Sequence, residues 1–540
     1  MKRMKFTLLL LGMLLMSHTL AARTIEVKVS QCGKPLVDNL NNVAKTLNGR
    51  DCLIINLDKP GKYEIDGTFQ SKCNTTIKGI SPSATQIILK EGFKNGRTKL
   101  VDDSFIKIYG TEFHKVKVDI KNVAFKLADH KGILWEDSPK HIVKIYHSNG
   151  LVVDNVEMYS CDAAITSLDL RNCSNTLIQN STFENYNNCM LGGCLWSRGS
   201  QENVVVKNNV FWKYGNDEAL AIWGSSYSNN MKIKNVTIDG NSFYYENKKK
   251  CKKNISIDVL INFSHHEGSD VKQKCYIDSI LFKNNIVTIN GRSKRSILLN
   301  FDDLAILGKI EISENTFQNK SRCQVSDGYM TDINVNTGSN YRGDIIINDN
   351  NVYNEAEILC NGKNTGYTFL GVKNGVINLS NNYIQSDYPI ALMKGGGGSI
   401  SLNLYKNVVS ILSNVAILSD ANKLEKVVIN ASGNEFTGDT RIYCRNIDNL
   451  ELNFTNNTFN SNNYHIFLQE AAPTTSVIFD GNTINALAGK GTLFANYTGT
   501  AYKFKDVRVS NNIFRGVSKK ELENSFVKVS KKNFSNNIYR

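Results

Sequence analysis

Apolar side chains recur along this chain in short runs of four to six positions that alternate or are saturated with β-branched residues, as at Val204 to Val206 and Ile345 to Ile347. That period suits short strands and not helices. Each run ends in Asn, and two or three residues later a large apolar side chain follows. Val118 to Phe125, Val152 to Met158, Leu177 to Phe183, Val204 to Phe211 and Val236 to Phe243 all carry the phrase. It is repeated about fifteen times, with later copies closing at Val287, Phe317, Tyr353, Ile384, Val409, Phe436, Phe459, Ile484, Phe514 and Tyr539. Successive copies lie 23 to 44 residues apart, the length of one solenoid coil.

Asn supplies the turn, because its short amide tolerates the left-handed backbone region and bonds neighbouring main chain. The closing apolar residue is predicted to point inward. Stacked coils would then align the Asn amides along the axis, beside continuous internal columns of Phe, Val and Ile. The predicted fold is all-β: a right-handed parallel β-helix of about fifteen coils, roughly 70 Å long at about 4.8 Å per coil. A leucine-rich horseshoe, the nearest rival, needs a helix in each repeat and a Leu-rich Asn motif that the chain lacks.

Length and composition agree with one long solenoid. Among 540 residues there are 6 Pro and no Pro-rich or Ser-rich linker at which to divide the chain. Three segments are expected: a signal peptide over 1–22, an N-terminal cap with the first coils over 23–115, and the β-helix proper over 116–540. Lys2, Arg3 and Lys5 precede the apolar run Phe6 to Met16, and Ala21 and Ala22 supply the small residues of a cleavage point. The apolar run is too short to stay in a membrane. An exported protein, periplasmic or extracellular and without a transmembrane segment, is therefore expected. Pro35 to Asn48 reads as an amphipathic helix suited to capping the open end of the solenoid. Export makes the twelve cysteines disulfide candidates, among them three groups, Cys32, Cys52 and Cys73; Cys161, Cys173, Cys189 and Cys194; and Cys251 with Cys275. Neighbouring coils bring equivalent Cα atoms within disulfide reach. Buried reduced thiols acting as small apolar residues are the alternative.

The net charge of +14 falls to +11 without the three basic signal residues, and it is concentrated at Lys248 to Lys250, Lys252 and Lys253, at Lys272 and Lys274, and at Arg292, Lys294 and Arg295. Outside the cytoplasm such a protein favours acidic polysaccharides. No nucleic-acid module is present, and no aromatic residues interleave these lysines as a single-strand platform requires. A solvated basic face is the alternative. A monomer is expected, with the repeat at Asn536 to Tyr539 leaving an end through which copies could pair.

The strand Leu53 to Leu57, the tetrapeptide Pro60-Gly61-Lys62-Tyr63 and the turn Ile77-Lys78-Gly79 resemble the opening of pectate-lyase-like β-helix proteins. With the repeats, the resemblance covers nearly the whole mature chain. It implies the fold, but activity only broadly, since that superfamily includes lyases, hydrolases, epimerases, tailspikes and adhesins. Gly215 to Gly224 resembles the Gly-Asp-Asp segment of the polygalacturonase family. That resemblance implies Asp217 as catalytic acid and Glu218 as its partner, two carboxylates in one turn raising each other's proton affinity. Asp162 answers to the family's earlier Asp, although two coils upstream instead of one. His265-His266-Glu267-Gly268 stands where a Gly-His-Gly segment is expected, and no Arg-Ile-Lys follows.

Alignment on the inward residues sets Trp196, thirteen after Phe183, beside Trp223, twelve after Phe211. If exposed, the pair would form a stacking platform for sugar rings. Asp169, Arg171 and Arg198 lie on adjoining coils, with Asn262, His265, His266, Asp302 and Asp303 further along, so a shallow substrate groove is expected across them. The 44-residue coil between Phe243 and Val287 adds loop length in which a site can be built. β-Elimination would draw its base from Arg198, Lys252 or His265, with the substrate carboxylate neutralised by basic side chains or by Ca²⁺ on Asp217 and Glu218. Two functions fit: a secreted enzyme cleaving a uronate-containing polysaccharide by β-elimination or hydrolysis, and a noncatalytic secreted or surface β-helix that binds glycans.

Overall fold

The computed structural model describes residues 22–90, 104–126, 141–160, 166–185, 193–215, 218–224, 231–246, 257–265, 275–302, 305–323, 329–336, 344–358, 363–370, 375–393, 398–413, 417–462, 464–469, 474–487, 492–496, 503–524, 526 and 529–540. Its strands pair only in parallel and stack into three long sheets. The first sheet runs from Thr24–Lys28 to Val529–Ser535 through eighteen successive strands. A second, of seventeen strands, follows it around each coil. A third, of fifteen, completes the coil. This is a right-handed parallel β-helix. Three rungs, Thr24–Lys28, Cys52–Asn56 and Asn74–Lys78, precede the fifteen that carry the Asn phrase, so the rod is about 80 Å long at about 4.8 Å per rung.

From Asn208 on, the turn between the first and second sheets has one chemistry. Its first residue takes the left-handed conformation, as Asn208, Gly240, Asn284, Asn381, Asn456 and Asn511 do at φ between 52° and 66°. The next residue is an Asn facing the interior. From Asn209 through Asn241, Asn285, Asn315, Asn350, Asn382, Asn407, Asn434, Asn457, Asn482 and Asn512 to Asn537, each side-chain amide donates to the Oδ1 of the next at 2.9 to 3.1 Å. Two residues after each ladder Asn comes the inward apolar residue. Phe183, Phe211 and Phe243 stack there with centroids 5.0 and 4.7 Å apart and rings within 8° of parallel. Tyr353 breaks the expectation: Val352 is the buried residue in register with Phe317 and Ile384, and Tyr353 lies on the outer face. The run of Asn350 and Asn351 shifts the apparent count by one.

The ladder should matter to stability. Asn350 donates to Asn382 Oδ1 and to the Ile312 and Asn348 carbonyls, and accepts from both the main-chain and side-chain nitrogens of Asn315. Asn350→Ala strands those buried groups and is expected to cost about 2–4 kcal/mol. Asn403→Ala, in the half-buried outer ladder Asn378, Asn403 and Asn430, should cost about 1 kcal/mol or less, because water replaces the lost partners. Denaturant unfolding with hydrogen exchange along the coil would compare the two.

At the N-terminal end the helix Leu36–Lys45 buries Val37, Leu40 and Ala44 against the solenoid core, as a cap must. The signal-peptide expectation lies outside the described residues apart from Ala22. Disulfides are not seen among the described cysteines: Cys32, Cys52, Cys73, Cys173 and Cys194 are free. Cys173 and Cys194 are buried beside carbonyl oxygens, and burial pushes the Cys194 thiol up to about 12. These two follow the buried-thiol alternative. Cys161, Cys189 and Cys251 lie outside the described residues, as does the side chain of Cys275.

Candidate functional site on the outer face of the third sheet

In the third sheet Val143, Ile145, Leu168, Leu170, Leu220 and Ile222 belong to the core, so the residues between them stand on the outer face. Stacking sorts those residues into two columns. One runs Lys107, Lys144, Asp169, Trp196, Ala221, Asn262, Asn300 and Asn334. The other, two residues further along each strand, runs Tyr109, Tyr146, Arg171, Arg198, Trp223, Ser264 and Asp302.

Asp169 is the centre of the first group. It is fully buried, with Arg198 Nε 3.2 Å from Oδ1, and Arg171 Nε at 3.3 Å and His141 Nε2 at 3.6 Å from Oδ2. Burial pushes its carboxyl above the ordinary range, against the pull of Arg198, Arg171 and Lys144 in that order. A buried carboxylate persists only where it is paired and hydrogen-bonded; here Arg171 donates a hydrogen bond to Oδ2 and Arg198 pairs with Oδ1 by charge. Arg198 is fixed in turn: its guanidinium lies 4.6 Å from the Trp196 ring and 5.7 Å from that of Trp223. The two indoles are 4.9 Å apart at 40°.

Glu218 precedes the next strand, Leu220–Gly224. It is buried, and its Oε1 accepts from Asn262 Nδ2 at 2.9 Å. Asn300 donates to Asn262 Oδ1 at 2.9 Å and Asn334 to Asn300 Oδ1 at 2.7 Å, so a chain of amides, each oriented by its neighbour, ends on this carboxylate. Gly193 joins the two groups. A Cβ there would stand 2.3 Å from Trp196 Nε1 and 2.8 Å from the Glu218 carbonyl oxygen, so only glycine lets the indole and that main chain approach.

The structure thus brings together Asp169, Arg171, Arg198, Trp196, Trp223 and Glu218, with half-buried Asp302 two rungs beyond Trp223 in the same column. The indoles are neighbours as expected, yet their exposures are only 6% and 8%. They form a packed pair supporting Arg198 and not an open platform. Asp162, Asp217, Lys252, His266 and Asp303 lie outside the described residues, as does the side chain of His265, whose main chain pairs with Gly224. Among the described residues no group of three or more His, Cys, Asp or Glu is placed to hold a metal; of the two carboxylates expected for Ca²⁺, Glu218 is described and Asp217 is not.

Sequence reasoning missed His141, Lys144 and Tyr146. A signal existed. Lys144 and Tyr146 lie 25 residues before Asp169 and Arg171, the same step that separates Met158 from Phe183.

No protein-family model matches the chain, and no curated protein sequence is significantly similar to it. Solved structures are similar in fold. DFA-IIIase from Arthrobacter chlorophenolicus A6, in complex with DFA-III, is 10% identical over 78% of this chain and 94% of its own, at a TM-score of 0.35. The catalytic unit of a GH87 α-1,3-glucanase from Streptomyces thermodiastaticus is 12% identical over 77% of this chain and 69% of its own, at 0.38. A family 28 exopolygalacturonase of Yersinia enterocolitica is 10% identical over 90% and 78%, at 0.31. Similarity this distant carries no argument about activity.

Proposed function

We propose that the chain is an exported carbohydrate-active enzyme that cleaves a uronate-containing polysaccharide on the outer face of its third sheet, by β-elimination or hydrolysis. One observation supports this above others: consecutive rungs hold a guanidinium, Arg198, paired with Asp169 and lying over two indoles, and a carboxylate, Glu218, oriented by an amide chain. Neither arrangement is needed to stack coils, and each buries charge at a cost that packing alone would avoid. In this reading Arg198 neutralises a substrate carboxylate, and Glu218 moves a proton at the scissile bond. In elimination Glu218 takes the C5 proton of the uronate as the C4–O bond breaks and the departing oxygen gains a proton from solvent; in hydrolysis Glu218 protonates the glycosidic oxygen while water attacks C1 and gives up its proton to solvent.

Incubation with a panel of uronate polysaccharides, with and without Ca²⁺, tests the proposal by following unsaturated uronate absorbance and new reducing ends. Both signals rising together mark a lyase, and reducing ends alone mark a hydrolase. Neither signal across the panel would select glycan binding without cleavage. That second reading is favoured by one feature, the burial of Asp169, Glu218 and both indoles.

A further inference from the structure

The cluster around Asp169 is one end of a longer arrangement. Toward the N-terminal end of the rod, cations and rings alternate without a gap. Lys72 Nζ and Lys107 Nζ each lie 5.2 Å from the Tyr109 ring. Lys107 is also 5.7 Å from the Tyr146 ring, which Lys144 approaches to 5.3 Å and the Arg171 guanidinium to 5.2 Å. Arg198 then covers the indoles. Six successive strands, Phe69–Ser71 through Leu220–Gly224, carry this band, about 24 Å at about 4.8 Å per rung. Along it stand five cations and, among the described residues of its outer face, two buried carboxylates, Asp169 within it and Glu218 at its C-terminal end.

We propose that this band is a binding strip for a polyanionic glycan lying along the solenoid axis, with carboxylate or sulfate groups seated on its cations. The inference rests on the polysaccharide reading above and adds where the chain lies and what is recognised. Charge is the recognition element. Every ring of the band is already covered by a cation, which leaves no bare aromatic face for stacking nucleobases as a single-strand platform requires. Successive cations one rung apart instead form a line of positive potential, Lys72 at its exposed end, Lys107, Arg171 and Arg198 half-buried, and Lys144 buried beneath them. A neutral polysaccharide has nothing to offer it, and salt weakens its hold on an anionic one.

Calorimetric titration of the full protein with oligogalacturonate, a sulfated glycosaminoglycan oligosaccharide, a neutral β-glucan and single-stranded DNA tests this at low and high salt. The variants are Lys72→Glu, Lys107→Gln and, as a control for net charge, Lys62→Glu, an exposed lysine of the second sheet. The expected result is salt-sensitive binding of one or both anionic glycans, their relative Kd telling carboxylate from sulfate. Kd should weaken about 10-fold in each strip variant and stay at the wild-type value in Lys62→Glu. Equal binding of DNA or neutral glucan, no binding of any anionic glycan, or unchanged Kd in folded strip variants overturns the proposal. Binding that depends on the strip without any cleavage keeps the strip and removes the enzyme. Cleavage with unchanged Kd does the reverse.

Discussion

Asp332→Asn is expected to stabilise the protein increasingly as pH rises. Asp332 is fully buried, with Oδ1 accepting from Asn319 Nδ2 at 2.8 Å and the Asn354 amide beside it. Burial pushes its pKa up to about 8, the two amides opposing. The unfolded chain releases this proton near pH 3.9, so between about 4 and 8 the folded state holds a proton that the unfolded state lacks. The stability contributed by that proton is complete below about pH 4 and is lost as pH rises through 8. In the window the slope is on the order of 1.4 kcal/mol per pH unit. Asn has the shape of the protonated acid and does not titrate. The difference in unfolding free energy between variant and wild type should therefore grow at about that slope between pH 4 and 8 and level off above. Denaturant midpoints across pH would show it. A difference that does not change with pH would mean that Asp332 is ionised in the fold, and that the amides supply more than burial removes.

Much of this architecture is legible because one local rule generates it. From Asn208 onward the left-handed residue, the ladder Asn and the inward apolar residue occupy three fixed places in the turn, and each place restricts residue type on its own physical ground. Where the rule is diluted, sequence reasoning slips. Thr24–Lys28, Cys52–Asn56 and Asn74–Lys78 are rungs of the first sheet, but their coils close without the Asn phrase, so they escape a count based on it. Asn350 and Asn351 offer two candidate ladder positions, and only the hydrogen bonds from Asn315 and to Asn382 decide for the first.

The candidate site is legible in a different measure. Which residues share a rung follows from spacing, so the neighbourhood of Trp196, Trp223, Arg198 and Asp169 could be read. Whether a ring is open could not be, because its cover comes from neighbours such as Gly193 and the Arg198 guanidinium, whose approach the coil period does not specify. The cation and ring alternation from Lys72 to Arg171 was hidden for a related reason. Lys107 and Lys144 lie 37 residues apart, whereas the inward residues of the corresponding coils, Phe125 and Met158, lie 33 apart, so alignment on the inward residues misplaces one against the other.

Glu218→Gln is expected to lower kcat by about 10²- to 10⁴-fold if Glu218 performs the proton transfer, with oligosaccharide Kd nearly unchanged. The choice of Gln matters. Its side-chain oxygen can still accept from Asn262 Nδ2, so the amide chain through Asn300 and Asn334 and the fold should survive. Arg198→Lys makes the complementary test. Lysine keeps the charge but loses the planar group that bonds Asp169 while lying over both indoles, so KM should rise more than kcat falls if Arg198 holds a substrate carboxylate. The two variants separate proton transfer from charge recognition on one face. Were Glu218→Gln to cleave at the wild-type rate, Glu218 would be the anchor of the amide chain and nothing more, and the proton would have to move through another group on the same rungs. Were both variants inactive with Kd unchanged, Arg198 would act at the transition state and not in binding, which places the substrate carboxylate nearer Arg171 and the strip beyond it.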